Sequence, residues 1–281
     1  MKVSYYPGCS LEGTAKEYDE STRAVCQALG IELDELEDWN CCGASSAHNT
    51  SDFLSLALPA RTLTQADAKG LDLVVPCAAC YQRLKVAEKT LAQKPLPDFP
   101  YQGQVAVKHL LDFCSQEEVL QRVREAVKKP LTGLKVAGYY GCLVVRPPKV
   151  TDAVDYEDPH NMDNLMNAAG AESVNWSYKT DCCGGSLILG RPDVVRRLIG
   201  KLLDMALEAG AECLVTCCPM CQSNLDTGER GLSKETGKDY RVPIFYFTEL
   251  LGLALDLPGA AGWLERHLVN PKELLRSKGL L

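Results

Sequence analysis

Short apolar runs alternate with longer amphipathic stretches along the whole chain. The runs are rich in β-branched and aromatic residues and end at glycine, proline or cysteine, which predicts buried strands over Lys2–Tyr6, Leu71–Val75, Lys135–Tyr140 and Glu212–Thr216. Apolar residues at helical spacing, each stretch closed by a glycine, predict helices over Thr14–Leu29, Phe53–Lys69 and Pro192–Ala209. This alternation predicts an α/β fold with parallel sheets and outer helices.

One arrangement of cysteines occurs twice. In the first half, 31 residues separate Cys9 from the pair Cys41-Cys42, and 34 more precede Cys77 and Cys80. In the second half the corresponding gaps are 39 and 34 residues, and the cysteines are Cys142, Cys182, Cys183, Cys218 and Cys221. The repeat predicts two homologous Rossmann-like domains from an internal duplication, residues 1–128 and 129–281, joined in a stretch with two lysines, a proline and a glycine.

Charge and hydropathy exclude some classes of protein. The 281 residues carry a net charge of −7, and no Lys/Arg block is longer than two, which argues against nucleic acid as a partner. No apolar run approaches the roughly 20 residues of a membrane span. The first residues lack a signal-peptide pattern, so we expect a cytoplasmic protein without a membrane span.

The fourteen cysteines are the unusual feature of the composition. A chain of this length needs no disulfides for its core, and in a reducing cytosol clustered cysteines bind metal or carry out redox chemistry. Those that follow predicted strands share the carboxyl edge of a parallel sheet, where ligands bind in α/β folds. Helix N-termini at that edge favour thiolates. We therefore expect the five cysteines of each half to converge on one spot.

Five sulfurs per set favour an iron–sulfur cluster. A structural zinc ion takes four ligands, and neighbouring cysteines rarely chelate one small ion because their side chains diverge. Such neighbours can bind two different irons of a cluster. A thioredoxin-like dithiol explains a Cys-x-x-Cys after a strand, but neither the adjacent pair nor its repeat. Zinc and dithiol chemistry remain as alternatives.

The paired sets resemble the tandem CCG domains found in the B subunit of heterodisulfide reductase. The resemblance extends over nearly the whole chain and includes the segments Glu37–Gly43, Gly70–Asp72, Tyr139–Cys142, Arg146–Pro148 and Thr180–Gly184. It implies two non-cubane [4Fe–4S] clusters. The first is held by Cys9, Cys41, Cys42, Cys77 and Cys80, and the second by Cys142, Cys182, Cys183, Cys218 and Cys221.

The resemblance also implies the reaction and the partners. The expected activity is two-electron cleavage of a disulfide between the two clusters, or the reverse oxidation of two thiols. The chain has no cubane cluster motif and no GxGxxG fingerprint, so it cannot take electrons from a nicotinamide itself. The expected partners are a ferredoxin-like iron–sulfur subunit of the C type and a flavin subunit of the A type. The expected substrate is a small-molecule or protein-bound disulfide.

Two rival functions follow from the same residues. The first is a CCG-type electron-transfer subunit of another oxidoreductase complex, with no substrate of its own. The second is a zinc-bound assembly module. Two complete cysteine sets favour the disulfide reductase, because a site between two clusters needs both, whereas a relay tolerates one degenerate set.

Residues near the cysteines have more specific predicted roles. His48 is a candidate proton donor to a leaving thiolate, with a hydrogen-bonded loop histidine as the alternative. Arg146 and Lys149 are candidate anchors for an anionic substrate arm, with solvated loop charges as the alternative. Four glycines are expected to let the chain turn tightly around the sulfurs: Gly8, Gly43, Gly141 and Gly184. The cysteines outside the sets, Cys26, Cys114, Cys213 and Cys217, are expected in the core, although Cys217 adjoins the second set.

Overall fold

The first half of the chain forms a parallel four-stranded sheet. A computed structural model describes residues 1–44 and 46–281 of the protein. The strands of this sheet are β1 (Lys2–Tyr5), β2 (Glu32–Glu35), β3 (Leu73–Val75) and β4 (Val107–His109), in the spatial order β2-β1-β3-β4. Val3 of β1 lies opposite Leu33 of β2, and Ser4 lies opposite Leu73 of β3.

The second half repeats this sheet. Its strands are β5 (Lys135–Tyr139), β6 (Glu172–Ser173), β7 (Cys213–Thr216) and β8 (Ile244–Tyr246), all parallel, in the order β6-β5-β7-β8. The two orders are identical once the strands of each half are numbered from its own start. The predicted α/β class and the duplication are therefore confirmed.

Helices connect the strands in both halves. Those before β5 are α1 (Gly8–Gly13), α2 (Lys16–Ala28), α3 (Ala47–Thr50), α4 (Asp52–Lys69), α5 (Ala78–Gln93), α6 (Leu110–Cys114) and α7 (Glu117–Ala126). Those after it are α8 (Pro148–Thr151), α9 (Asn161–Ala168), α10 (Pro192–Glu208), α11 (Pro219–Thr236), α12 (Phe247–Ala254), α13 (Ala260–Trp263) and α14 (Lys272–Ser277). Short 3₁₀ turns cover Gly185–Leu187 and Leu264–Arg266. No helix in the described part of the chain has the length and apolarity to cross a bilayer.

Helix α4 shows how local sequence sets the element boundaries. The Ser51 hydroxyl accepts the Leu54 amide proton at 3.3 Å and so caps the N-terminus of this helix. Gly70 ends the helix in the left-handed conformation, with φ of 65°, where its N–H bonds to the carbonyl of Ala66. A helix that ends here delivers the chain directly into β3, which leads to Cys77.

The main apolar core is shared by the two halves. It includes Leu11 and Val25 of the first half and Leu250 and Leu251 of the second. Helix α2 packs against α12, and the Ser21 and Thr248 hydroxyls hydrogen-bond across this contact at 2.6 Å. The division at residues 128 and 129 falls between the two sheets, and the domain bounds 1–128 and 129–281 stay a prediction.

Tyr18 joins the two halves at the cysteine-rich edge of the sheets. Its buried ring stacks on Tyr246 with centroids 4.2 Å apart and planes 4° from parallel. Its hydroxyl lies 3.1 Å from the Cys217 carbonyl oxygen and 3.4 Å from that of Pro76. These carbonyls belong to the residues just before Cys218 and Cys77. One side chain of α2 thus fixes the backbone next to a cysteine of each set.

His109 supports the same backbone. Its Nδ1 accepts the Leu111 amide proton at 3.2 Å, so Nε2 carries the ring proton and donates to the Pro76 carbonyl oxygen at 3.1 Å. Complete burial lowers the pKa of His109 to about 4 and keeps the ring neutral near pH 7. His109 therefore has a structural role.

The Tyr18 hydroxyl can be tested without removing its ring. We expect Tyr18→Phe to lower the free energy of unfolding by about 1 kcal/mol, because buried carbonyl oxygens lose a donor. Urea denaturation of the anaerobic protein measures the change. Tyr156→Phe is the control, since its ring is 38% exposed, and should change stability by less than about 0.5 kcal/mol. Equal stability of the two variants would contradict the role assigned to the Tyr18 hydroxyl.

Candidate metal centre

The first cysteine set lies at the carboxyl edge of the first sheet. Cys9 is in the first turn of α1, directly after β1, and the Cys41-Cys42 pair lies in the loop that follows β2. Cys77 is the N-cap residue of α5, after β3, and Cys80 is in the first turn of that helix. Two close pairs form within the set: the Cys42 and Cys80 sulfurs are 3.2 Å apart, and the Cys9 and Cys41 sulfurs are 3.9 Å apart.

The second set has the same arrangement. Cys142 follows β5, the Cys182-Cys183 pair follows β6, and Cys218 is the N-cap residue of α11. The Cys183 and Cys221 sulfurs are 3.6 Å apart and correspond to Cys42 and Cys80 in the first half. Both sets thus bring their members together from three separate loops.

The two sets meet at the domain interface. The thiols of Cys77 and Cys218, the N-cap residues of α5 and α11, lie within interaction distance of each other. Both are buried, as are Cys42, Cys80, Cys183 and Cys221. Cys9, Cys41 and Cys182 are exposed, and Cys142 is half-buried. Each set therefore has a buried side, which includes the Cys77–Cys218 contact, and an outer side that faces solvent.

Two tyrosines hold the loops that carry the cysteine pairs. The Tyr6 hydroxyl donates to the Asn40 carbonyl oxygen at 2.8 Å, just before Cys41. The Tyr139 hydroxyl donates to the Asp181 carbonyl oxygen at 2.7 Å, just before Cys182. Burial raises the pKa of both phenols, so they remain proton donors. This role was not predicted, although each tyrosine occurs at the same position in the repeat, three residues before Cys9 or Cys142.

The predicted glycines lie where a side chain would strain the centre. Gly8 and Gly141 have φ of 72° and 65°, and a Cβ atom there would lie 3.1 Å from the Cys80 sulfur and 3.0 Å from the Cys221 sulfur. Gly43 and Gly184 also have positive φ, and their N–H groups point at the Cys41 and Cys182 sulfurs at 3.5 and 3.3 Å. Their conformation aims backbone donors at sulfur. The glycine positions thus match the expectation, and their role in cluster binding stays a prediction.

Neighbouring thiols divide the cysteines of the edge into two groups. The pKa is lowered at Cys42, Cys182, Cys183 and Cys218, and it is raised at Cys41, Cys77, Cys80, Cys142 and Cys221. The first turns of α5 and α11 contain no acidic residue, so the positive ends of both helices face the sulfurs without a competing carboxylate. Contact with Cys142 and the Gly184 N–H lower the pKa of Cys182 to about 6, although burial alone would raise it. Contact with Cys41, then with Cys80, lowers the pKa of Cys42, and the Arg83 guanidinium contributes.

The cysteines outside the sets lie in the core. Burial raises the pKa of Cys26 to about 12 and raises the pKa values of Cys114, Cys213 and Cys217. All four thiols are buried and remain protonated. The Cys217 carbonyl oxygen also accepts a hydrogen bond from the Tyr18 hydroxyl.

The donor set fits an iron–sulfur cluster. Each half places five cysteines at one sheet edge with a close sulfur pair among them, Cys42–Cys80 or Cys183–Cys221, and glycines leave room beside the sulfurs of Cys80 and Cys221. Within residues 1–44 and 46–281, no three His, Cys, Asp or Glu side chains are arranged to hold a single metal ion. The ten cysteines are the residues that would hold clusters, and this assignment remains a prediction.

A cavity of about 220 Å³ opens beside the second set. All five cysteines of that set line it. The first domain contributes residues close in sequence to its own cysteines, from the loop before α3, from α3 and from the start of α5: Ala44, His48, Ala78, Ala79, Gln82 and Arg83. A small molecule in this cavity would touch both domains and reach the sulfurs of the second set.

Of the three remaining predicted site residues, one lines this cavity and two do not. His48 lines it, so the geometry is compatible with its predicted role as a proton donor. Arg146 and Lys149 are exposed and are not among the residues that line it. The Arg146 guanidinium donates to the Thr180 hydroxyl at 3.0 Å. The predicted anchoring role of these two cations has no support from their placement and stays untested.

Comparison with known proteins places the repeat in a family. The CCG cysteine-rich domain family matches residues 3–85 and again residues 136–226. The chain is 31% identical to the 8-methylmenaquinol:fumarate reductase membrane anchor subunit of Wolinella succinogenes, over 97% of this chain and 99% of that protein. It is 29% identical to the B subunit of the ferredoxin:CoB-CoM heterodisulfide reductase of Methanosarcina mazei, over 98% and 96% respectively.

Two further similarities concern more distant proteins. A protein of Archaeoglobus profundus that is described as similar to the B subunit of heterodisulfide reductase is 27% identical over 91% of each chain. The crystal structure of a hypothetical protein from Helicobacter pylori matches with a TM-score of 0.73 at 13% identity. That match covers 96% of this chain and 52% of the other, so this chain spans about half the length of that protein. The likeness concerns the fold.

Gly141 provides a test of the sulfur packing. We expect Gly141→Ala to remove iron from the second set, because the added methyl lies 3.0 Å from the Cys221 sulfur. Gly70→Ala is the matched control: φ is 65° at both positions, but a methyl group at Gly70 meets no atom within 4 Å. Both changes cost about 1–2 kcal/mol of backbone strain. Iron analysis of the two purified variants would contradict the assignment if both lost iron equally.

Proposed function

This chain belongs to the CCG cysteine-rich domain family, and from that membership we propose that it is the iron–sulfur subunit of a heterodisulfide reductase-like complex that cleaves a disulfide in a two-electron reaction. The same site would run the reverse oxidation of two thiols. The observation that carries the proposal is one cavity that all five cysteines of the second set line, together with residues that adjoin the cysteines of the first set. The relatives that are named for heterodisulfide reductase support it.

The proposed cofactors are two non-cubane [4Fe–4S] clusters, one in each of the domains 1–128 and 129–281. Cys9, Cys41, Cys42, Cys77 and Cys80 would hold the first, and Cys142, Cys182, Cys183, Cys218 and Cys221 the second. When bound, such clusters supply single electrons and iron sites with affinity for sulfur. Gly8, Gly43, Gly141 and Gly184 would wrap the backbone around them.

The protein's own groups would manage the charge and the protons. Disulfide cleavage takes two electrons and two protons and yields two thiols, so charge accumulates on sulfur before protonation. The N-termini of α5 and α11 face that sulfur and stabilise negative charge. His48 lines the cavity and is the proposed proton donor to the departing thiolate. Apolar lining residues such as Leu143 and Tyr140 exclude bulk water.

The electrons would come from partner proteins. The chain contains no cubane cluster motif and no dinucleotide fingerprint, so the reducing equivalents enter from another protein. We propose a ferredoxin-like subunit of the C type, itself supplied by a flavin subunit of the A type. The exposed sulfurs of Cys9 and Cys41 put the outer side of the first set at the surface, where such a partner would dock.

A second candidate function is an electron relay without a substrate of its own. The similarity to the fumarate reductase subunit of Wolinella succinogenes, at 31% identity over nearly the full chain, favours it. In that role the clusters would pass electrons between other proteins of the complex, and the cavity would remain free of substrate.

Addition of a disulfide to the reduced protein discriminates between the two functions. We expect a small anionic disulfide, dithiodiglycolate, to reoxidise the chemically reduced chain alone within seconds and to yield two thiols per disulfide. Visible absorption and thiol titration measure both. A relay would keep its electrons until a protein acceptor is added, and that result would contradict the disulfide reductase proposal.

Single cysteine substitutions test the assignment of ligands. We expect Cys41→Ala to remove the electron paramagnetic resonance signal of the first cluster only, and Cys182→Ala that of the second only, because the sets come from separate sheets. Cys213→Ala is the control, since this buried cysteine lies outside both sets, and it should retain both signals. Loss of both signals from either single ligand variant would mean that the sets are not independent.

A further inference from the structure

Some residues that line the cavity have no counterpart at the equivalent position of the other half. The first-domain wall includes Arg83, three residues past Cys80, and His48, seven residues past Cys41. The equivalent positions in the second half, counted from Cys221 and Cys182, hold Asn224 and Leu189. The cysteines are repeated, but the ionisable residues beside the cavity are present in one copy only. A duplicated site that becomes asymmetric in this way is suited to an asymmetric ligand.

Asn224, the counterpart of Arg83 in the second half, has a structural role. It is buried, and its side-chain amide donates to the Cys183 carbonyl oxygen at 2.7 Å. The asparagine thus holds the loop of the second cysteine pair. Arg83 takes no part in a comparable hydrogen bond among residues 1–44 and 46–281, so the position is free for another task in the first domain.

Arg83 also differs from the other cations of its helix. Lys85 and Lys89 on α5 form ion pairs with Glu88 and Asp152. In the described part of the chain, Arg83 belongs to none of the ion pairs. It is half-buried, and it lines the cavity together with the cysteines of the second set. A guanidinium in such a position binds a carboxylate, sulfonate or phosphate with two parallel hydrogen bonds.

We infer that Arg83 binds an anionic group of the substrate, a small organic disulfide or thiol that carries a carboxylate, sulfonate or phosphate, and thereby directs its sulfur to the second cysteine set. This inference rests on the proposed function. Gln82, the neighbour of Arg83 in the cavity wall, supplies an amide next to the guanidinium. A neutral quinol, the kind of molecule in the name of the Wolinella succinogenes relative, offers this cation no charged partner.

A different role for Arg83 is to balance the negative charge of the thiolates. Its charge already acts on Cys42 of the first set. A counter-ion would affect every ligand of the centre alike, whereas a substrate anchor distinguishes a charged ligand from a neutral one of the same shape. The test therefore compares two thiols that differ in one group, mercaptoacetate and mercaptoacetamide.

The experiment measures binding of both thiols to the anaerobically purified chain, by calorimetry and by the change in visible absorption. The quantity compared is the ratio of the two dissociation constants in each protein, so that the different acidity of the two thiols cancels between variants. We expect Arg83→Gln to weaken mercaptoacetate binding about tenfold relative to the amide, the loss of one charged hydrogen-bonded pair. Arg83→Lys should recover part of this preference, since it keeps the charge without the paired donors.

Arg124→Gln is the control, because Arg124 is an exposed cation of α7 that pairs with Glu117. It should leave the ratio unchanged, and iron and sulfide analysis checks that all variants carry the same cofactor. If the ratio in Arg83→Gln is unchanged, whether both thiols bind as before or both bind equally more weakly, the inference is overturned and a counter-ion role is left. If neither thiol binds to the unaltered protein, the proposed function fails first, and the inference fails with it.

Discussion

The centre depends on holding Cys77 and Cys218 face to face across the interface between the two halves. Each is the N-cap residue of a long helix, and each follows a central strand of its sheet. The Tyr18 hydroxyl lies between the carbonyl oxygens that precede them, and the Tyr18 ring stacks on Tyr246. A shift of either domain would break these contacts. The relative position of the two cysteine sets is therefore set by buried packing and not by flexible loops.

The features that the two halves share and the features found in only one half have separate consequences. The repeated features are those that gather sulfur: strand order, N-cap cysteines, glycines with positive φ, and the tyrosines that hold the paired-cysteine loops. The features that are not repeated, His48 and Arg83, lie on the cavity wall. The repeated parts fit the cofactor that we propose for each half. The unrepeated parts fit the asymmetric ligand that we propose for the cavity.

The sequence predicts much of this fold because its strongest signals are local or periodic. Helices α2, α4 and α10 lie within two residues of their predicted bounds, and the cysteine spacing identifies both sets. Strand β2 is not predicted because the residues of Glu32–Glu35 are mostly acidic and lie at the sheet edge without a buried face. Arg146 is predicted as an anchor and Arg83 is not, because proximity to a cysteine in the sequence does not show which way a side chain points. Such orientation depends on tertiary packing.

Iron, acid-labile sulfide and zinc, counted per chain in one anaerobically purified sample, test the central claim most directly. Two complete cysteine sets predict about eight irons and about eight sulfides per chain, without zinc. About four of each would mean that one set is empty, which contradicts a site built from two clusters. Zinc without sulfide would contradict the redox account altogether and would leave a structural metalloprotein.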